Sequence, residues 1–166
     1  MKALLSLCDR VLTGTARITA HVAAVLGVLV ASFVALSAAM RYFVGRPFAF
    51  SEELVGLMVV ALAFLALPHA LAEGRHIRIT ALAERLPPAV RHGAGVIALA
   101  TLSAFCVLFL IEMRSAIAFS LRFNTRTEMG DLPLYPWMFA VCFGLALLGL
   151  LAVVRWLRAV LEGGEA

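Results

Sequence analysis

Glu52 and Glu53 are two adjacent carboxylates at the entrance to an uncharged apolar run, Leu54 to Ala72. Placed within a bilayer, such groups serve proton relays, ion sites or contacts with a neighbouring chain, because a carboxylate in hydrocarbon must find a partner. The same run leaves through Glu73-Gly74-Arg75-His76-Ile77. His69 stands four residues before Glu73, a spacing at which two side chains share a helix face and could share a metal. His21 and His69 could in principle face each other as axial ligands of a membrane haem. Neither pattern is completed by further ligands, and no Gly-rich phosphate loop or Ser/His/Asp or Cys/His arrangement accompanies them. Cys8, Cys106 and Cys142 form no disulfide framework or metal-ligand spacing. The expectation is a chain with no catalytic, cofactor or metal site, whose charged residues are concerned with placement.

The elements that position these groups follow from composition. Of 166 residues, 63% are hydrophobic and only 14% charged, outside the range of ordinary soluble domains. Apolar runs at about 18–40, 54–72, 93–111 and 134–154 each approach the roughly 20 residues that cross a bilayer as helix. They are continuous, without the alternation of barrel strands. The fold class is therefore an all-α membrane protein of four transmembrane helices, a single membrane domain over 1–166. Leu4, Leu7, Cys8, Val11 and Leu12 recur at helical spacing opposite Lys2, Ser6, Asp9, Arg10 and Thr13, which predicts an interfacial helix over about 3–16. Ile79, Leu82, Ala83 and Leu86 oppose Arg78, Glu84 and Arg85 in a second such segment over about 77–87, ended by Pro87-Pro88. A cleaved signal peptide is the weaker reading of the first run, which is longer than a signal core.

Four spans put both termini and the middle loop on one side, which carries nine of the 14 Lys and Arg. The positive-inside rule then places both termini in the cytoplasm. Basic residues occur in every connecting segment and gather on no single face, so membrane topology explains the charge of +4 and nucleic acid does not.

Ser51 is suited to cap the second span, leaving Glu52 and Glu53 in its first turn at the positive end of the helix dipole. Successive residues point about 100° apart on a helix, so one acid of the pair is left to meet a neighbouring protein surface. Ala23, Gly27, Ala31, Ala35 and Ala39 recur every fourth residue of span one, a stripe that allows another helix to approach closely. Tyr135, Trp137, Arg155, Trp156 and Arg158 frame span four as interface anchors. No acid falls in mid-span, since Glu112 and Arg114 lie by the end of the third apolar run.

The Glu52-Glu53-Leu54 entrance, the Glu73-Gly74-Arg75-His76-Ile77-Arg78-Ile79 exit and the short helix closing on Leu86-Pro87 resemble the small membrane subunit of tripartite ATP-independent periplasmic (TRAP) transporters. The outer loop Asp131-Leu132-Pro133 to Pro136 is similar too. Thr80 departs from the acidic residue common at that position, which puts a polar contact there in doubt. The resemblance implies a bacterial inner-membrane scaffold in a heteromeric complex. Its partners would be a large sodium-coupled membrane subunit, a periplasmic binding protein that delivers an organic acid, and the lipid bilayer. Interface candidates are Glu52, Glu53, Arg75, His76, Gly27, Ala31 and Ala35. The alternatives are a haem-bearing membrane anchor of a redox complex and a small self-sufficient multidrug-type transporter. The tail Glu162-Gly163-Gly164-Glu165-Ala166 is read as the end of a free-standing subunit.

Overall fold

The structure, a computed structural model, describes residues 2–45, 48, 50–74 and 88–163. Arg75, His76 and the interfacial segment expected at 77–87 lie outside them. Four helices make up almost all of what is described: α1 (Lys2–Phe43), α2 (Ser51–Ala72), α3 (Pro88–Phe123) and α4 (Tyr135–Gly163). Each is long and apolar enough to cross a membrane. The fold class is thus an all-α bundle of four spanning helices.

Unbroken runs of Ala, Leu and Val explain the helices, and local chemistry explains their ends. α1 stops before Gly45, whose φ of 71° is left-handed and continues no right-handed helix. α2 stops before Gly74 at φ 69°, with the Glu73 and Gly74 amides donating back to the His69 and Leu71 carbonyls. The start of α2 differs from the expected cap. Phe50 occupies the cap position without a side-chain bond, and the Ser51 hydroxyl donates backwards to the Phe48 carbonyl at 2.8 Å. Phe33, Phe48 and Phe50 stack beside that turn, so aromatic packing holds the chain where a polar cap was expected.

The amphipathic segment at 3–16 is the first part of α1 itself, with no break before the span. Its Leu12 packs against the core and Asp9 turns inward, whereas Leu7, Cys8 and Val11 remain exposed.

α4 is the centre of the bundle, packing against all three other helices, and α1 also packs along α2. Its Leu145, Leu148, Leu151 and Ala152 form a buried core with Leu71 of α2 and Cys106 of α3. Two glycines set the approach. A Cβ on Gly144 would sit 2.7 Å from the Phe64 carbonyl carbon, and one on Gly149 would sit 3.0 Å from Cys106 Cβ. Pro68 explains why α2 presents that carbonyl. Lacking an N–H, it leaves the carbonyl four residues earlier, that of Phe64, without its helical donor. Gly144 receives that carbonyl.

Gly144→Ala should therefore push α2 and α4 apart and destabilise the bundle by about 1–3 kcal/mol. Gly14→Ala, where nothing lies within 4 Å of the added carbon, should be neutral or slightly stabilising. Thermal unfolding of both variants in lipid nanodiscs checks this, and equal behaviour would contradict it.

Candidate functional site

The polar groups concentrate at the two ends of the bundle. At the end where α2 begins, Glu53 is half-buried, and its carboxylate receives two backbone amides of the α3–α4 loop. Met129 N–H donates to Oε1 at 3.0 Å and Gly130 N–H to Oε2 at 2.8 Å. Hydrogen bonds to a charged acceptor are about twice as strong as neutral ones, which suits a single side chain to pinning a loop.

The loop is built to present those amides. Arg126 and Pro133 form an isolated antiparallel bridge. The Thr127 amide donates to the Leu132 carbonyl, and the Thr127 hydroxyl accepts the Leu132 amide in return. Arg126 pairs with Asp131 at 2.8 Å, and Asp131 takes a left-handed φ of 50° at the bend. Gly130 leaves room for the approach, since a Cβ there would lie 2.8 Å from Phe50 Cβ and 3.2 Å from Glu53 Oε2.

Glu52 points elsewhere. It is exposed and lines a shallow cleft between α1 and α2 with Val34, Ser37, Ala38, Arg41 and Val55. Among the described residues neither Glu52 nor Arg41 has a hydrogen bond or ion pair. The two carboxylates of one motif thus have different situations: Glu53 is engaged within the chain, and Glu52 is open.

The opposite end, which carries both termini, is tied by Arg155. Its guanidinium donates to the Leu71 and Ala72 carbonyls at the end of α2, the second at 2.8 Å. It also faces Asp9 of α1 at 3.5 Å, and Arg158 reaches the same carboxylate at 3.2 Å. The last carbonyls of α2 have no partner within their own helix, so a cation there satisfies both their bonding and the negative end of the dipole. His92 of α3 contacts the Ala159 carbonyl of α4 at 3.1 Å.

His69 sits 3.2 Å from Glu73, as their spacing predicts, whereas His21 is exposed against the Arg17 carbonyl of its own helix. Among the described residues no group of three or more His, Cys, Asp or Glu could hold a metal. The small-residue stripe does not stay on one side. A step of four residues advances about 40° around the helix, so Ala23 is buried, Gly27 half-buried, and Ala31 and Ala35 exposed.

Sequence reasoning missed Asp9, Thr127, Gly130 and Gly144, and took Arg155 and Arg158 for membrane anchors. A signal for the clamp was present, because Asp9 is the sole acid in the basic stretch before span one.

A family model described as "Tripartite ATP-independent periplasmic transporters, DctQ component" matches residues 30–162, most of the chain. No curated protein matches it.

Glu53→Ala should release the loop without unfolding the helices. Hydrogen exchange at the Met129 and Gly130 amides should rise by about tenfold or more, as expected for losing a charge-assisted bond worth about 1.5–3 kcal/mol. Glu52→Ala should leave those amides unchanged. Arg155→Ala, which removes a donor from two carbonyls and one of the two cations facing Asp9, should lower the melting temperature more than Arg158→Ala, which removes only the other cation.

Proposed function

The chain belongs to the DctQ component family of tripartite ATP-independent periplasmic transporters, and from that premise we propose that it is the small scaffolding subunit beside a larger membrane subunit. In this reading the larger subunit carries an organic acid inward with sodium ions after a periplasmic binding protein delivers it. The small subunit sits in the bacterial inner membrane with both termini cytoplasmic, the arrangement that its basic residues favour.

One observation carries the reading: each end of the bundle is tied by charged side chains that bond within the chain, while long apolar faces of α1 and α3 lie outward. Glu53 holds the α3–α4 loop, and Arg155 and Arg158 hold Asp9 and the end of α2. The buried hydroxyl of Thr19 donates to its own helix, at the Ala16 carbonyl. A helix pair that must slide or rock would be poorly served by a ring of such ties. A fixed support for a moving partner is well served by them.

The division between the two acids refines the interface. Glu52, open beside Arg41 and near the exposed Ala35, is the acid available to a partner chain. Arg75 and His76 are proposed as contacts on the cytoplasmic side, and Gly27, Ala31 and Ala35 as a close-packing stripe.

Reconstituted alone in liposomes, the chain should show no saturable sodium-dependent uptake of organic acids. Reconstituted with the large subunit and binding protein, it should support it. Uptake by the chain alone would overturn the proposal. Glu52→Ala should reduce recovery of the large subunit in co-purification by about three- to tenfold, the range of a single interface contact worth about 1 kcal/mol. Its melting temperature should not change.

A further inference from the structure

The third helix carries two charges that the rest of the fold leaves open. α3 presents its Cys106, Met113 and Ser120 line towards the bundle, with Cys106 and Ser120 buried and Met113 half-buried. Glu112 and Arg114 flank Met113, each about 100° to one side of it, and both are exposed. Among the described residues neither side chain makes a hydrogen bond or an ion pair. Around them Leu108 and Ile111 are 65% and 55% exposed.

Their level along the bundle follows from two contacts. The Phe109 ring meets the Phe64 ring of α2 at 6.0 Å, and α2 and α3 run in opposite directions. Three residues on from Phe109, Glu112 is therefore level with about Ala61. Through α4, Cys106 lies at Gly149 and Phe64 at Gly144, which sets Glu112 level with about Ala63. Both contacts bring it beside the middle turns of Ser51–Ala72. That is about 12–15 Å from the level of Glu53, at about 1.5 Å per residue.

The ends of α2 are marked by Glu52 and Glu53 on one side and Glu73 on the other, so its middle turns lie deep in the bilayer. An Arg can extend its head towards the headgroups from such a depth. A glutamate is too short to do so, and hydrocarbon offers it no partner.

We propose that this face of α3 is where transmembrane helices of the large membrane subunit dock, presenting a donor or cation to Glu112 and an acceptor or anion to Arg114. The proposal rests on the reading above that such a subunit stands beside this chain. A second copy fits less well. A two-fold contact between α3 helices brings one face of each to the axis, whereas Glu112 and Arg114 lie on opposite flanks and need a wider surface.

The test uses the full chain co-expressed with the large subunit. A photo-crosslinking benzoylphenylalanine replaces Leu108 or Ile111 on α3, and the exposed Phe143 on α4 for comparison. The α3 positions should cross-link to the large subunit. Glu112→Gln and Arg114→Gln should each lower its co-purification by about tenfold or more, as when one member of a buried charge pair is removed, while insertion is unchanged. In the chain alone in lipid vesicles, Glu112→Cys should react far more slowly with a membrane-impermeant maleimide than Glu52→Cys does.

Several results would overturn the proposal. Cross-linking of α3 to a second copy would replace the partner. Cross-linking to the large subunit from Phe143 alone would move the surface to α4 and leave the proposed function standing. Equal maleimide labelling at Glu112→Cys and Glu52→Cys would place Glu112 in water. No association with the large subunit by any measure would remove the proposed function as well.

Discussion

Arg155 satisfies three demands with one side chain. The end of α2 leaves carbonyls without helical donors, Asp9 brings a carboxylate into a partly buried position, and α4 must be held between them. None of these is stable alone, because an orphan carbonyl or an unpaired acid in such a setting is expensive. Arg155 bonds both carbonyls and faces the Asp9 carboxylate at 3.5 Å, Arg158 bonds its other oxygen, and the apolar packing above them acquires a defined register. Helices in lipid gain little from hydrophobic burial against one another, so a polar joint of this kind has more influence on which helices meet than it has in water.

From that joint the remaining order follows along α4. Gly144 admits the Phe64 carbonyl that Pro68 leaves without a donor in α2, and Gly149 admits Cys106 of α3. With α4 placed against both, its N-terminal end delivers the loop before Tyr135 to the level of Glu53. The carboxylate then closes the far end by taking two amides. The bundle is tied at both ends and close-packed between them, which is the physical content of calling it rigid. α1 and α3, by contrast, keep long apolar faces turned outward.

Much of the architecture was legible in the sequence because hydropathy and helical length are local properties. The four spans, the end of the second at Ala72 and the shared face of His69 and Glu73 all depend on residues near one another in the chain. What was not legible depends on distance in the chain. Nothing local says that Asp9 meets residues about 150 positions away, or that Gly144 faces the carbonyl freed by Pro68. The acid pair shows the limit most clearly. Its spacing indicates that Glu52 and Glu53 point in different directions, but which one is engaged depends on a loop more than 70 residues further on. The family resemblance was legible for a different reason, since it rests on short motifs read in chain order and on no contact between distant residues.

Span three separates two ways of judging depth. The apolar run alone, at about 93–111, ends just before Glu112 and places that residue at a membrane surface. Packing register instead carries α3 on to Phe123 and sets Glu112 beside the middle of α2. Hydropathy asks where a lone helix would rest in lipid, and register asks where its neighbours hold it. For a helix that packs on α4 along its length, the second constraint is the stronger, because sliding α3 by two turns would break the fit of Cys106 to Gly149 and separate Phe64 from Phe109. The bilayer can thin, and the bundle can tilt, for fractions of a kcal/mol per Å, whereas a mispacked helix face loses about 1–3 kcal/mol at each overfilled contact. The charges on α3 are therefore held at the level its neighbours set, and the surface around them needs a protein to complete it.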